Sequence, residues 1–389
     1  MRSNGSIDPA RIPVIAAAFR TPIGRKGGSL AAVEPASLAA PLIRRILAET
    51  GLAPGAVDDV ILGNAANSAG NLARLAALEA GLPVSIPGMT VDRQCGSGLE
   101  AIALAARLIA AGAGRFYLAG GTESTSRAHL RFRPASEPGG TPEPVPRARM
   151  APDSVGDPDM GIAAENVAAH ASIGRARQDA FALESHRRAV AAQRAGRFDG
   201  EIVPVGDIRS DECPRENTSL ERLAALKPVF RPDGTVTAGN ACPVNDGAAV
   251  VLVTSLAEAR ALGLSPLLEV VDSAVAGVDP NLLGLGPVPA MEKLAVRNPG
   301  LDAAKIPFAE FNEAFAAQVL ASLDALGIDP ASVNRDGGAL ALGHPYGASG
   351  AILVTRLFAQ MREEPAGTEG LALMGIGGGM GIAALFRRA

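Results

Sequence analysis

Cys95, in the segment VDRQCGSGLE, is the first residue whose setting suggests a nucleophile. The strand-like segment Gly88–Val91 precedes it, and an apolar helical segment begins directly after it. A helix start offers unpaired N–H groups and the positive end of the helix dipole, and both favour a thiolate. A lone cysteine is more often a small buried side chain. The flanking glycines, which permit a sharp turn, and the C-terminal half of the chain favour a reactive thiol.

His344, in GGALALGHPYGASG, is the matching candidate for a base. It lies in a glycine-dense loop before a second apolar helical segment, as Cys95 lies before the first. If two related halves bring these helix starts together, an imidazole meets a thiol and activates it. The remaining histidines lie in polar stretches and are expected at the surface: His129, His170 and His186.

The segment FNEAFAAQ places two polar residues, Asn312 and Glu313, within an otherwise apolar stretch. They are either site residues or the N-cap of a following helix. The sequence alone leaves both interpretations open.

The segment Leu371–Phe386, LALMGIGGGMGIAALF, is an apolar run interrupted by glycines. The glycine spacing does not fit a dinucleotide-binding fingerprint, and no lysine is near for a P-loop. The run is too short and too rich in glycine for a membrane-spanning helix. The pattern therefore predicts a buried strand, a tight glycine turn and a second buried strand.

The overall composition is that of a soluble globular protein. The chain has 389 residues, 48% of them hydrophobic, and a net charge of −4, which argues against nucleic acid or an anionic membrane as a partner. No pair among Cys95, Cys213 and Cys242 has metal-site spacing, so no metal is predicted and Cys213 receives no role. The N-terminal MRSNGSIDPAR has no apolar signal segment, so a cytoplasmic location is expected.

Short β-branched runs alternate with alanine-rich helical segments, which predicts an α/β fold. The first half contains predicted strands at Pro13–Ala18, Val57–Leu62 and Phe116–Ala119 and predicted helices at Leu38–Thr50 and Gly98–Ala111. A similar alternation resumes near residue 267. Each half has a glycine-rich segment, an apolar helix and a strand with a glycine-containing end, so we expect two buried helices between two sheets.

The material between the halves is different, because it begins with a long stretch rich in Pro, Arg and Gly. A disordered linker is the simpler interpretation, but flanking halves that resemble each other favour an inserted loop domain. The predicted division is 1–126 plus 246–266 for the N-terminal half, 127–245 for the insertion and 267–389 for the C-terminal half.

In this order, the motifs DRQCGSG, TAGNACPVNDGAA, FNEAFA, GGALALGHPYGASG and GIGGGMG resemble the thiolase family, the acetyl-CoA C-acyltransferases. The resemblance implies two related βαβαβαββ halves stacked around central buried helices, with an inserted loop domain. It implies thiolysis of a 3-oxoacyl-CoA or the reverse Claisen condensation. Coenzyme A and acyl-CoA would be substrates, with no covalently bound cofactor. A homotetramer (a dimer of dimers) or a homodimer is expected.

The resemblance also implies residue roles. Cys95 would carry the acyl group, and His344 would accept its proton and help stabilise an oxyanion. Asn312 would hold a water that completes this oxyanion hole. The backbone N–H groups of Cys95 and Gly377 would form a second hole.

The resemblance further implies a coenzyme A pocket lined by Cys242, Met160 and Phe315. Cys242 stands where the family usually has serine, so it is either a replacement base or a simple exchange in the pocket wall. Asp159 stands where many relatives have histidine. Tyr346 replaces a commonly aliphatic residue, so its hydroxyl is either a proton carrier or part of a specificity wall.

Gly375 departs most from the family pattern, because it stands where a cysteine usually acts as the acid/base for the α-proton. Losing such a group removes a contribution of roughly 10²–10⁴-fold. Three functions are compatible with this change. The first is a thiolase-type acyltransferase with altered activity. The second is an acyltransferase that uses another acceptor or a decarboxylated carbanion, and the third is a non-catalytic acyl-CoA-binding scaffold subunit.

Overall fold

The computed structural model describes residues 8–67, 70–265 and 267–389, so the predicted absence of a signal segment in MRSNGSI lies outside the described residues. The strands of the described chain are β1 Pro13–Arg20, β2 Gly24–Arg25, β3 Asp59–Gly63, β4 Gly88–Val91, β5 Phe116–Ser124, β6 Phe132–Arg133, β7 Glu143–Pro144, β8 Asn245–Ser255, β9 Leu268–Gly277, β10 Phe308–Phe311, β11 Glu369–Ile376 and β12 Met380–Arg388.

The α-helices of the described chain are α1 Pro35–Thr50, α2 Leu72–Glu79, α3 Ser97–Ala111, α4 Met160–His170, α5 Arg175–Arg194, α6 Leu220–Ala224, α7 Leu256–Ala261, α8 Pro287–Arg297, α9 Ala316–Leu326, α10 Ala339–Leu342 and α11 Tyr346–Met361. None of these helices has the length and hydropathy needed to cross a bilayer.

The main sheet contains two copies of one strand arrangement. Its order is β10-β11-β12-β9-β1-β8-β5-β3-β4. The first copy runs β4-β3-β5-β8-β1, and the second runs from a single bridge at Val333 through β10-β11-β12-β9. The copies meet where Val14 and Ile15 pair antiparallel with Glu269 and Leu268. Both halves therefore follow βαβαβαββ, which confirms the predicted α/β thiolase fold.

Helices α3 and α11 form a layer between the two copies of the sheet. Ile102 and Ala105 of α3 and Val354 of α11 share one fully buried apolar cluster with residues of both copies. Helix α1 covers the outer face of the first copy, and α8 and α9 cover the outer face of the second. This arrangement confirms the predicted central helices and places the starts of α3 and α11 in the interior.

The two central helices approach backbone to backbone because glycine occupies their contact. A Cβ on Gly98 of α3 would lie 2.7 Å from Gly347 O of α11. A Cβ on Gly350 of α11 would lie 2.5 Å from Leu99 N of α3. Real Cβ contacts below 3.0 Å essentially do not occur, so a larger residue at either position would separate the helices.

Several strands are longer than predicted, because polar residues continue them beyond the apolar run. The prediction for β5 ended at Ala119, but the strand runs to Ser124 with every residue buried. Strand β1 extends to Arg20, whose guanidinium pairs with Asp211 at 2.7 Å and Glu201 at 2.6 Å. These polar groups are satisfied by partners distant in sequence, which local hydrophobicity does not reveal.

The region after β5 is largely irregular as far as residue 159. It includes the exposed hairpin β6–β7 and then continues into α4 and α5. The predicted boundaries of the inserted domain, 127 and 245, stay a prediction.

Candidate active site

Cys95 lies in a tight turn between the end of β4 and the start of α3. Ser97 Oγ accepts a hydrogen bond from Arg93 N at 2.8 Å and donates to Gln94 O at 2.5 Å. Gln94 has a φ of 48°, an uncommon value for a residue other than glycine. The turn holds Cys95 half-buried at the start of α3, as predicted from the CGSG segment.

The Cys95 thiol is held in its protonated form. Burial raises its pKa to about 12, and the charge of Glu123 adds to this effect. The backbone N–H of Gly377, which faces the sulfur, opposes the rise. The expectation that the helix start would stabilise a thiolate is therefore wrong, because the loss of solvation outweighs the dipole. Cys95 needs a base during its reaction.

His344 is a buried, neutral imidazole with one unpartnered nitrogen. Its Nδ1 lies 2.6 Å from Ser349 Oγ, and its backbone N–H donates to Asn245 Oδ1 at 2.9 Å. Among the described residues, Nε2 is buried without a hydrogen-bond partner. Burial lowers the pKa of the imidazole to about 4. When Nδ1 donates to Ser349, the lone pair of Nε2 is free to take a proton.

Asn312, directly after β10, has a buried side-chain amide whose oxygen and nitrogen both lack a partner among the described residues. An unsatisfied buried amide costs about 1–3 kcal/mol unless a water or ligand fills it. The helix-cap alternative is wrong, because the N-cap of α9 is Phe315. Asn312 therefore has unused hydrogen-bonding capacity for a bound molecule.

Glu313, the next residue, is an internal anchor. One carboxylate oxygen accepts from Ser185 Oγ at 2.6 Å and from Leu340 N at 3.1 Å. The other accepts from Asn334 Nδ2 at 2.7 Å. These bonds fix the Asn312 loop against the segment that leads to His344.

The segment 240–244 joins the Asn312 and His344 loops. Cys242 N donates to Ala314 O at 2.9 Å, and Val244 pairs with His344. Burial raises the pKa of the Cys242 thiol, and the next largest cause is the charge of Cys95. The two thiols therefore share one site, although they are far apart in sequence.

The predicted coenzyme A residues converge beside this segment. The rings of Phe315 and Phe230 lie 6.3 Å apart, edge to face, and Phe230 packs against Gly161 of α4. Met160 precedes Gly161, and its sulfur would lie 3.6 Å from a Cβ on Gly377. Cys242, Met160 and Phe315 thus lie around one region, and their contact with coenzyme A stays a prediction.

The glycine turn between β11 and β12 contacts Cys95 through Gly377. A Cβ on Gly377 would lie 2.9 Å from Met150 Sδ, so a side chain there would have to displace this methionine. At Gly375, a Cβ would lie 2.7 Å from Gln318 Oε1 and 2.9 Å from Gly284 Cα. The structure therefore leaves no space for a side chain at position 375.

A cavity of about 350 Å³ opens at Cys95. Small apolar side chains and two methionines form most of its wall, and the Tyr346 ring, which stands edge to face with His344 at 5.3 Å, forms part of it. The lining residues are Ala65, Ala66, Gln94, Cys95, Ala128, His129, Arg131, Val145, Pro146, Arg147, Ala148, Met150, Met160, Tyr346 and Gly377. The apolar part of this wall suits an acyl chain, and the basic side chains of His129, Arg131 and Arg147 lie in the same wall.

Glu123 is a site residue that the sequence reasoning missed. Its buried carboxylate accepts hydrogen bonds from Ala65 N at 2.9 Å, Gly347 N at 2.9 Å and Asn64 Nδ2 at 2.8 Å. It therefore ties the end of β5 to the first turn of α11. The polar residues Thr122, Glu123 and Ser124 at the end of an apolar strand were the feature that could have indicated this role.

One sequence expectation about another residue needs correction. His186 was expected at the surface, but it is 4% exposed, because the segment around Arg215 covers it and Arg215 N donates to its Nδ1 at 3.2 Å. His129 and His170 are exposed, as expected. Cys213, which received no role, lies in a loop and is buried. Within the described residues, no group of acidic, His and Cys side chains could hold a metal.

Comparison with known proteins gives a consistent result. The chain matches the thiolase N-terminal domain over residues 13–257 and the thiolase C-terminal domain over residues 264–388. It is 47% identical to the putative acetyl-CoA C-acetyltransferase YhfS of Bacillus subtilis, with 96% of this chain and 98% of that protein covered. It is 46% identical to an acetyl-CoA acetyltransferase of Pseudomonas aeruginosa, with 96% and 99% covered.

A solved structure agrees with these matches. The crystal structure of the Bacillus anthracis acetyl-CoA acetyltransferase superposes with a TM-score of 0.89 at 38% identity, covering 98% of this chain and 99% of that one. Together with the domain matches and the full-length relatives, this similarity shows that the chain belongs to the thiolase family.

Proposed function

We propose that this protein is a thiolase-type acyltransferase that forms an acyl-enzyme on Cys95 from an acyl-CoA or a 3-oxoacyl-CoA. The observation that carries the proposal is that the Cys95 thiol and the backbone N–H of Gly377 meet in the wall of one cavity. The names of the relatives, which are acetyl-CoA acetyltransferases, support the same reaction class.

In acyl transfer, Cys95 attacks the carbonyl carbon while His344 Nε2 takes the thiol proton. A pKa of about 12 for the thiol and about 4 for the imidazole means that both groups start neutral. The proton therefore moves as the carbon–sulfur bond forms, because donation of the sulfur lone pair to the carbonyl carbon makes the S–H acidic. This pairing makes an inactive scaffold a poorer explanation of the site.

Two sets of donors would stabilise the negative oxygen of the successive intermediates. Protonated His344 and a water held by the unpartnered amide of Asn312 form one set. The backbone N–H groups of Cys95 and Gly377 form the other. Each well-placed donor contributes about 3 kcal/mol to the stability of such a transition state.

Coenzyme A would lie along Cys242, Met160 and Phe315, with its thioester at Cys95. The cavity lined by Met150 and Tyr346 would then take the acyl chain. No covalently bound cofactor takes part in this scheme. A homodimer or a homotetramer (a dimer of dimers) in the cytoplasm completes the proposal.

The glycine at position 375 favours a second candidate for the acceptor step. With no side chain there to remove an α-proton, the acyl group could pass to a different acceptor or to a carbanion formed by decarboxylation. The enzyme would still acylate Cys95 by the same chemistry.

Intact mass measurement after incubation with acetyl-CoA tests the proposal. We expect an acetyl adduct on the wild-type chain and none on Cys95→Ala. Wild-type protein that binds coenzyme A but gains no adduct would show that the scaffold alternative is correct. An adduct without thiolysis of acetoacetyl-CoA or longer 3-oxoacyl-CoAs would favour the second candidate.

A further inference from the structure

Position 375 has no proton carrier, and its surroundings leave no room for one. Gln318 Oε1 and Gly284 Cα would lie 2.7 and 2.9 Å from a Cβ there. Carbon–carbon bond chemistry on an acyl-CoA still requires a proton at the α-carbon. Another side chain must therefore carry it if the proposed function is correct, and the present inference rests on that function.

Most other acidic groups near the site are held in structural contacts. Glu123 accepts hydrogen bonds from the backbone at residues 65, 66 and 347, and Glu313 accepts from Ser185 and Asn334. Asp92 is exposed and accepts from the N–H of residue 94. Tyr346 has a phenol, whose ordinary pKa is about 10, compared with about 8.5 for a thiol. Burial raises the pKa of this phenol and of the Cys242 thiol alike, so only the positions of the two groups distinguish them.

Cys242 lies on a segment that contacts the loops of both Asn312 and His344. Its backbone N–H donates at 2.9 Å to the carbonyl of Ala314, two residues after Asn312. Val244, two residues further along, pairs with His344. The segment that carries the thiol therefore lies directly between the residues proposed for the first oxyanion hole. The electrostatic effect of Cys95 on Cys242 indicates the same proximity.

We infer that Cys242 is the acid/base that moves the α-proton of the acetyl-CoA unit. A thiol lost from β11 would be replaced by a thiol on the segment 240–244, so the same proton chemistry reaches the same site from a different element. Cys242 would then contact the substrate as a catalytic residue rather than as part of the pocket wall.

The proton balance closes without another reactant. In thiolysis, Cys95 attacks the 3-oxo carbon, and its proton passes to His344. The bond between the α-carbon and that carbon breaks, the electron pair stays on the α-carbon, and the Cys242 S–H protonates it to release acetyl-CoA. Coenzyme A then gives its thiol proton to the Cys242 thiolate and attacks the acyl-enzyme. The Cys95 sulfur leaves and recovers its proton from His344.

The test compares Cys242→Ser, Cys242→Ala and wild type in two assays. The first is acylation of Cys95 by acetyl-CoA, followed by intact mass. The second is exchange of the α-protons of acetyl-CoA for deuterium in D₂O, with acetoacetyl-CoA thiolysis measured alongside. In both variants exchange and thiolysis should fall by about 10²–10⁴-fold more than acylation does, because only the former two need the α-proton to move. Cys213→Ser, which removes a thiol outside the cavity, should keep both activities.

The two assays separate the possible failures. Wild-type exchange in Cys242→Ser would overturn the inference, as would acylation without exchange in the wild type. An equal loss of acylation and exchange in both variants would also overturn it, because it would indicate a structural role. A wild type that binds coenzyme A but does not acylate would refute the proposed function itself. The alkaline limb of the thiolysis pH profile should disappear in Cys242→Ser, which a merely structural thiol would not cause.

Discussion

Replacing Gly350 with alanine should weaken catalysis through the contact between the central helices. A Cβ at this position would lie 2.5 Å from Leu99 N and 2.7 Å from Leu99 Cβ, whereas ordinary contacts begin at 3.4 Å. The backbone of α3 cannot move aside locally, because it is packed between both copies of the sheet. We therefore expect α3 and α11 to separate by about 1 Å at their N-terminal ends, as close packing transmits the strain.

The size of the effect follows from two opposed contributions to stability and one to catalysis. Alanine favours a helix over glycine by about 1 kcal/mol, whereas overpacking a buried contact costs about 1–3 kcal/mol. The free energy of unfolding should therefore fall by no more than about 2 kcal/mol, and the protein should still fold. A displacement of about 1 Å between reacting groups costs about 10²-fold in rate. Cys95 and His344 precede the two helices, so they take up this displacement.

The assay is the rate of Cys95 acylation by acetyl-CoA in Gly350→Ala and in a control, Gly55→Ala. A Cβ on Gly55 would meet nothing within 4 Å, so this control changes glycine to alanine without a steric clash. We expect the control to acylate as the wild type does and Gly350→Ala to be slower by about 10²-fold. A wild-type rate in folded Gly350→Ala would refute the idea that this contact sets the distance between thiol and imidazole.

Three further outcomes are expected. Alkylation of Cys95 by iodoacetamide should rise about tenfold per pH unit from pH 7 to pH 10, because the thiolate is the reactive form and its pKa is raised; a plateau below pH 8 would contradict this. Glu201→Ala should lower the free energy of unfolding by about 3–5 kcal/mol, because it leaves the buried guanidinium groups of Arg20 and Arg356 without their shared carboxylate. The control Glu49→Ala, in an exposed ion pair, should lower it by about 1 kcal/mol or less. Equal shifts of the urea midpoint in the two variants would refute the distinction between buried and exposed pairs. Gly375→Cys should lower the free energy of unfolding by about 1–3 kcal/mol, because the new side chain would clash with Gln318 and Gly284. Adding Gln318→Ala should recover part of this loss. An unchanged urea midpoint for Gly375→Cys would show that a side chain does fit at this position.

The sequence predicted those features that depend on local pattern. Helix α3 was recognised from its apolar residues, and its charged positions do pair, since Arg107 bonds to Glu100 at 2.9 Å. The interior position of the helix followed from this pattern. By contrast, the true end of β5 and the anchoring role of Glu123 depend on partners far away in the chain, which no local pattern contains.

The motifs predicted which loops meet near Cys95, but they did not predict the electrostatics there. Cys95, His344 and Asn312 were identified from motifs, and the structure places Cys242 between the loops that carry the last two. The protonation state of Cys95 was predicted wrongly, because the helix start is a local feature and burial is not. The same reason explains His186, whose polar neighbours in sequence do not reveal the segment that covers it.

The internal repeat has a consequence for how this chain could have evolved. In each half the last two strands pair antiparallel, β5 with β8 and β11 with β12. A few glycines connect the second pair, whereas residues 125–244 connect the first. After a gene duplication, two equivalent hairpin ends would therefore have faced one cleft. The end that touches Cys95 would have stayed short, and the other would have been free to grow into a cover over the cavity at Cys95. Length variation among homologues should therefore accumulate at the first hairpin end and be excluded from the second.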